Sequence, residues 1–148
     1  MHHIGETFSK RYLFSAERIK AVAEVLGDTN PWHHDDEAAA TSRFGGLIAA
    51  AGHSTGVFVS VIAEHTTRET DALGLRFTHK LKRAVPAGLD AIMTWRVVGM
   101  EPVRRLGGDV LRLEGLMTED DGHVDIEGTC DVLVMPRAVR DAEPGGIG

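Results

Sequence analysis

Two ionisable side chains, Asp28 and His33, stand five residues apart in the segment GDTNPWHHD. A carboxylate and an imidazole at this spacing can together hold and deprotonate a water molecule. Asn30 and Pro31 lie between them, and proline both fixes its own φ and pushes the preceding residue towards extended backbone. Such restriction favours catalysis because it holds reacting groups in place. We therefore predict catalytic roles for Asp28 and His33. In the alternative, Asp28 merely follows a helix and His33 is a surface residue.

An apolar segment of small residues, FGGLIAAAGH, follows at positions 44–53. We expect it to lead into a buried helix that begins near Ala50 or Gly52 and ends at about Glu64. The first N–H groups of a helix have no partner inside the helix, so they can stabilise an oxyanion. His53 has two equally weighted interpretations, a contact with the substrate or a buried histidine hydrogen-bonded to backbone.

The cluster formed by His33, His34, Asp35 and Asp36 is a weak candidate for a metal site. Adjacent residues rarely ligate one ion together, and neither an HExxH motif nor a Cys/His pattern is present. We therefore expect no metal. His34 is expected to face solvent, and the lone cysteine, Cys130, to be a core residue.

The elements around this segment can be predicted from capping residues and periodicity. A short strand is expected around Ile4 to Phe8, followed by a helix with Ser15 as N-cap, an apolar face, and Gly27 just past its end. A short helix should run from Asp35 through Ala40. The apolar face comprises Ile19, Val22, Ala23 and Leu26.

The second half of the chain changes to the period-two pattern of strands. Four strands are expected, at 73–77, 91–98, 110–117 and 124–135, with Asp121-Gly122 as a hairpin turn before the last. Helices followed by strands indicate an α+β fold, with one long helix packed on an antiparallel sheet. We expect a single domain, 1–148, with residues 137–148 as a flexible tail.

Bulk composition narrows the function classes. The net charge of −6 over 148 residues argues against non-specific nucleic-acid binding. One cysteine excludes an internal disulfide and favours a reducing compartment, and no signal-peptide pattern opens the chain, so a cytoplasmic location is expected. The apolar stretch Gly45–Ala63 is shorter and less hydrophobic than a membrane-spanning helix, so no membrane association is expected.

The motif Gly27-Asp28-x-Asn30-Pro31-x-His33-x-Asp35 resembles the signature of the MaoC-like dehydratases and (R)-specific enoyl-CoA hydratases. The pattern continues through FGGLIA at 44–49 and AAGHS at 50–54, and VPAG at 85–88 resembles a later turn of that family. The resemblance covers about residues 4–136. Ala51, Ala84 and Leu89 depart from the family pattern, and Trp32 is bulkier than its usual residue, which leaves the substrate open.

The resemblance implies a hot-dog fold, in which an antiparallel sheet wraps a long central helix, and a homodimer or larger assembly. It further implies that Asp28 and His33 add water to a trans-2-enoyl thioester, giving a 3-hydroxyacyl thioester. The oxyanion donor would be the N–H of Ala51 or Gly52, and Asn30 would brace the loop. Coenzyme A or acyl carrier protein would be part of the substrate, with no separate cofactor.

Two other functions remain open. A thioesterase of the same fold would need a carboxylate on the central helix, and the only acid there, Glu64, lies at its far end. A non-catalytic acyl-thioester-binding protein is the other alternative. Lys80, Lys82 and Arg83 form either a solvated strand face or a contact for coenzyme A phosphates.

Overall fold

The computed structural model describes residues 1–138, and its main feature is a five-stranded antiparallel sheet. The strand order across the sheet is β1-β3-β4-β5-β2, so β1 and β2 are its edges. The strands are β1 Thr7–Phe14, β2 Thr70–Leu81, β3 Leu89–Val103, β4 Gly108–Thr118 and β5 Val124–Pro136. The helices are α1 Ala16–Leu26, α2 Asp36–Ala40 and α3 Ala51–Thr66, with 3-10 turns at Pro31–His33 and Arg104–Leu106.

Helix α1 begins and ends where its capping residues predict. The Ser15 side chain accepts a hydrogen bond from the N–H of Arg18 at 3.2 Å. At the other end Gly27 adopts φ +70°, a left-handed conformation that glycine reaches without a Cβ penalty. The chain therefore turns sharply out of α1 and directly into Asp28.

Helix α3 packs on the sheet along its whole length, and its predicted bounds are confirmed to within two residues. The Phe58 carbonyl, in the middle of α3, accepts a hydrogen bond of 2.9 Å from the indole N–H of Trp95 on β3. A Cβ at Gly115 would lie 2.4 Å from the Trp95 ring, so glycine at this position of β4 makes room for the indole. This is the hot-dog arrangement that the resemblance implied.

All the predicted strands are present, but their first and last residues differ from those expected. The first strand was expected around Ile4 to Phe8 but runs from Thr7 to Phe14, because its pairing with β3 continues through Phe14↔Leu89. On β5 the residues Ile126, Cys130, Val132 and Val134 are buried, which confirms the core position expected for Cys130. On β2, by contrast, Leu73, Leu75 and Phe77 are 58%, 52% and 46% exposed.

Among residues 1–138, no helix is long and apolar enough to span a bilayer. The Gly45–Ala63 stretch instead contributes most of α3 and the segment that precedes it. The tail expected at 137–148 falls outside the described residues except for Arg137 and Ala138.

Candidate active site

The loop that carries Asp28 is held by short-range hydrogen bonds that start at the end of α1. The N–H of Asp28 donates to the Ala23 carbonyl at 3.0 Å. Its side-chain Oδ1 then accepts from the N–H of Asn30 at 3.1 Å, and Asn30 Oδ1 accepts from the N–H of Trp32, also at 3.1 Å. Two successive side-chain-to-backbone turns therefore fix the path from Asp28 to the 3-10 turn that contains His33.

The His33 ring is oriented by a backbone carbonyl. Its Nδ1 lies 2.7 Å from the Ile48 carbonyl oxygen, and its side chain is only 6% exposed. A carbonyl can only accept, so Nδ1 carries the proton, and in the neutral ring Nε2 has the free lone pair. This Nε2 lies 3.5 Å from Asp28 Oδ2, and the Asp28 side chain is 37% exposed. A basic nitrogen and a solvent-accessible carboxylate therefore face each other.

The segment before α3 is joined on one side to the His33 loop and on the other to the turn between β2 and β3. The N–H of Ile48 donates to the Trp32 carbonyl at 3.1 Å, and that of Ala49 donates to the Val85 carbonyl at 2.8 Å. The VPAG stretch at 85–88 thus supports the segment that orients His33. Residues 85–88 lie far from residues 48–49 in the sequence, so no local sequence pattern predicted this contact.

Two unpaired N–H groups stand at the start of α3. The N–H groups of His53 and Ser54 both bond to the Ala50 carbonyl, at 2.9 and 3.1 Å. Those of Ala51 and Gly52 have no acceptor within residues 1–138, and Ala50 supplies no side-chain cap. Both residues are exposed. This helix end therefore has two free donors together with the positive end of the helix dipole.

His53 is buried, at 2% exposure, and pairs with a tyrosine. Its Nε2 lies 2.9 Å from the Tyr12 hydroxyl, whereas its Nδ1 has no partner within the described residues. Burial lowers the pKa of His53, and the nearby Arg18 charge lowers it further, which favours the neutral ring. A hydrogen bond to backbone, one of the two interpretations of His53, is not formed within the described residues. His53 and Gly52 also line a groove of about 300 Å³, so a substrate contact for His53 stays a prediction.

The structure also bears on His34 and on the basic cluster at residues 80–83. His34 does not simply face solvent, because its ring is half-buried and its Nε2–H donates to the Asp28 carbonyl. In the basic cluster, Lys82 pairs with Glu127 at 2.5 Å and Arg83 with Glu119 at 2.9 Å. These two cations are therefore already neutralised by carboxylates of the same chain.

A protein-family model described as the MaoC like domain matches residues 4–114, which include the Asp28 loop, α3 and most of the sheet. The chain belongs to the MaoC-like domain family. The recognition made from the motif at 27–35 and its continuation is thereby confirmed.

Individual relatives of this MaoC-like domain are distant. A mitochondrial 3-hydroxyacyl-[acyl-carrier-protein] dehydratase from Arabidopsis thaliana is 34% identical over 62 residues, covering 42% of this chain and 37% of that protein. The R-hydratase PhaJ1 from Pseudomonas aeruginosa is 21% identical with a TM-score of 0.79, over 99% of this chain and 94% of that one. The ChsH1-ChsH2 complex from Mycobacterium tuberculosis is 14% identical, with a TM-score of 0.78 over 90% and 99%. At these identities the two structures show the shared fold.

Proposed function

We propose that this protein is a hydro-lyase that reversibly adds water to a trans-2-enoyl thioester, giving a 3-hydroxyacyl thioester. The observation that carries the proposal is the His33 ring, whose Nδ1 is bound to the Ile48 carbonyl so that Nε2 faces Asp28 Oδ2 at 3.5 Å. That separation is long for a direct hydrogen bond and suits a water that donates to both atoms.

In the hydration direction, His33 Nε2 takes a proton from this water as its oxygen attacks the β-carbon of the enoyl group. Negative charge moves through the double bond to the thioester oxygen. The free N–H groups of Ala51 and Gly52 would stabilise that oxygen, aided by the α3 dipole. The Asp28–His33 pair then returns a proton to the α-carbon, and dehydration is the reverse sequence.

The chemistry of the relatives supports the same reaction class. The plant relative is a dehydratase of 3-hydroxyacyl groups on acyl carrier protein, and the bacterial one is an R-hydratase. The substrate of this chain would therefore be an acyl thioester of coenzyme A or acyl carrier protein, with no additional cofactor in the reaction. The reaction proposed for His33 and Asp28 is common to both carriers.

A thioesterase function fits the geometry less well. The only carboxylate on α3, Glu64, is half-exposed, and its Oε2 lies 2.5 Å from Lys10 Nζ. It sits near the opposite end of the helix from Ala51. Glu64 lines the same groove as Gly52, but a carboxylate that is ion-paired and twelve residues further along the helix is poorly placed to act on a thioester bound at the free N–H groups.

The direct test assays hydration and hydrolysis of one short enoyl-CoA side by side with the purified full-length chain. Hydration is measured by loss of the conjugated enoyl absorbance and hydrolysis by release of free thiol. We expect hydration without thiol release. Thiol release alone would favour the thioesterase, and binding without either reaction would favour a non-catalytic protein.

Two substitutions then test the site. Asp28→Asn and His33→Asn should each lower the hydration rate by about 10²–10⁴-fold, the usual contribution of an acid–base group. His33→Asn is preferable to alanine because His33 is buried, and an amide can still donate to the Ile48 carbonyl. Because the two residues act on one water, the double variant should be little worse than either single one.

The controls match each substitution in type. Asp36→Asn changes an exposed carboxylate of the adjoining helix α2, and His123→Asn replaces an exposed histidine in the β4–β5 turn. Both should retain the parent rate. If the Asp28 and His33 variants fold normally and also retain it, the proposed site is wrong.

A further inference from the structure

Three side chains, two from the segment before β1 and one from the last turn of α3, converge at the opposite end of α3 from Ala51. His2 Nδ1 lies 3.0 Å from Glu6 Oε2, and His65 Nε2 lies 2.7 Å from the same oxygen. The two nitrogens and the carboxylate oxygen all lie within 4.8 Å of one another. Two imidazoles are therefore directed at one carboxylate oxygen from opposite parts of the chain.

Glu6 and His65 are held in place by separate contacts. The N–H of Gly5 donates to the Val97 carbonyl at 2.8 Å, and that of Val97 donates to the Glu6 carbonyl at 2.9 Å, which fixes the segment before β1 to β3. His65 is in the last turn of α3, and its ring stacks on Phe8 with centroids 3.9 Å apart. The cluster is thus formed by the fold.

The cluster is also partly withdrawn from solvent. The side chains of His2 and Glu6 are each 12% exposed and that of His65 is 25% exposed. Burial alone would raise the pKa of Glu6, but hydrogen bonds from His2 and His65 outweigh it, so the pKa is lowered and the carboxylate is charged. His2 is therefore not a solvent-exposed side chain, although it lies near the start of the sequence.

This donor set matches the preferences of one class of ion. Two imidazole nitrogens and a carboxylate oxygen are the protein ligands of many open zinc sites, with bonds of about 2.0–2.2 Å. In a tetrahedral arrangement such bonds separate the ligand atoms by about 3.3–3.5 Å. The observed 3.0 and 2.7 Å contacts need to widen by less than about 1 Å, and the ion would replace the protons that now bridge the nitrogens and the oxygen.

Outer contacts of the kind that orient metal ligands are present as well. The second ring nitrogen of His2 lies 3.5 Å from the Thr70 hydroxyl. The second oxygen of Glu6 accepts from the N–H of His3 at 3.3 Å and lies 3.5 Å from the His3 ring. Partners on the far side of a ligand fix its orientation and raise its affinity for the ion.

We propose that His2, Glu6 and His65 form a binding site for a divalent transition-metal ion of the zinc class. Its remaining coordination positions would be open to solvent. The ion would join the segment before β1 to the end of α3. His65 is fourteen residues after Ala51, about 21 Å along the helix axis, so this site is separate from the Asp28–His33 pair and independent of the proposed hydratase function.

The other His–carboxylate cluster in the described residues is a useful comparison. Glu119, Asp121 and His123 also have ligand atoms within 4.8 Å of one another. There, however, the side chains of Asp121 and His123 are 59% and 62% exposed, and Glu119 is already paired with Arg83 at 2.9 Å. It lacks the burial and the free carboxylate of the proposed site.

The experiment titrates the full chain, first freed of metal by a chelator, with CoCl2 and separately with ZnCl2. Calorimetry gives the stoichiometry and affinity, and the visible absorption of bound Co²⁺ reports its coordination. We expect one tight Co²⁺ site per chain with a four- or five-coordinate spectrum, from which Zn²⁺ displaces it. His2→Ala, Glu6→Gln and His65→Ala should each weaken binding by about tenfold or more.

Matched controls distinguish a built site from general surface binding. His123→Ala and Glu64→Gln remove a histidine of the comparison cluster and an exposed acid beside His65, and both should bind like the parent. Because His65→Ala also loses the Phe8 stacking, His2→Ala provides a second readout. Added ZnCl2 should raise the Tm of the parent and not that of His2→Ala. Absence of saturable binding by the parent, or loss of binding in His123→Ala with retention in the three site variants, would overturn the proposal.

Discussion

The chemical role of His33 depends on the atom that its other nitrogen contacts. If Nδ1 faced solvent, either tautomer could form and the base would be present only part of the time. The 2.7 Å contact with the Ile48 carbonyl selects the tautomer in which Nε2 is the acceptor. Asp28 is itself fixed, because its Oδ1 is occupied by the Asn30 N–H and Oδ2 is left to face His33. In each residue, one polar atom is held by a hydrogen bond that orients the side chain, and the other polar atom remains available to contact the substrate water.

Asp125 is the residue for which the structure predicts a pH effect on stability. It is 1% exposed, and one of its oxygens has no partner within the described residues. Burial, followed by the neighbouring Glu119 charge, raises its pKa from 3.8 to about 6, although Arg83 lowers it in part. The folded state therefore binds this proton more tightly than the unfolded chain. The resulting stabilisation is fully present below about pH 4 and is lost as the pH rises through about 6.

Asp125→Asn removes this titration while keeping the shape of the side chain. The parent should lose the stabilisation from this proton as the pH rises from about 4 to 7, whereas the variant should not. The free energy of unfolding of the variant, relative to that of the parent, should therefore increase over this pH range by on the order of 2 kcal/mol. Urea unfolding at both pH values measures the difference, with Asp120→Asn, a nearby exposed acid, as the control. If parent and Asp125→Asn show parallel stability across this range, Asp125 is not the titrating group.

At the scale of elements, local signals predicted local structure. The Ser15 cap and the Gly27 terminator of α1 depend on residues within four positions of each other, and both are confirmed. The short helix expected from Asp35 through Ala40 begins one residue later, with Asp35 as its N-cap. Contacts between distant segments had no such signal. The His53–Tyr12 bond joins residues 41 apart, and the start of β1 depends on where β3 pairs with it. Sequence periodicity carries no information about such pairings.

The same limit applies to the candidate site. The pair Asp28–His33 and the Asn30 brace lie within six residues, so their types and spacing could be interpreted directly. The tautomer of His33 could not be predicted, because Ile48 is fifteen residues away. The His2–Glu6–His65 cluster was missed for the same reason, because 59 residues separate Glu6 from His65.

The first position of α3 offers a test of backbone catalysis that leaves the helix intact. Ala51→Pro removes the N–H of Ala51, which makes no hydrogen bond within the described residues, and proline is well tolerated at the first position of a helix. Ala50 has φ −60° and ψ 147°, a conformation that a following proline allows. If the Ala51 N–H stabilises the oxyanion, hydration should fall by about 10²–10³-fold.

The matched control for this variant is Ala16→Pro, at the first position of α1. Ser15 before it has φ −67° and ψ 154°, nearly the same conformation as Ala50. It should keep both the fold and the activity. Circular dichroism confirms folding of the two variants, and a fully active, folded Ala51→Pro would assign the oxyanion contact to Gly52 or to another donor.

At the scale of the whole molecule, the single chain leaves the edge strand β2 uncovered, with apolar side chains exposed to solvent. β2 is an edge strand, so one row of its backbone N–H and C=O groups has no strand partner in the sheet. It also exposes Leu73, Leu75 and Phe77, each at about half or more of its surface. Soluble proteins usually protect such an edge with charges, bulges or a covering element, and the one bulge here, between Gly74 and Arg76, leaves these three side chains exposed.

We therefore predict that the chain forms a homodimer in which β2 is covered by the second copy. Light scattering at micromolar concentration should give twice the chain mass. Leu75→Lys places a charge on this edge and should shift the equilibrium towards monomer, because burying an unpaired ammonium group is costly. Leu116→Lys is the matched control, since Leu116 is 43% exposed on the central strand β4 and should leave the dimer intact. A parent protein that is monomeric at this concentration would contradict the prediction, and dissociation by Leu116→Lys alone would move the interface to the outer face of the sheet.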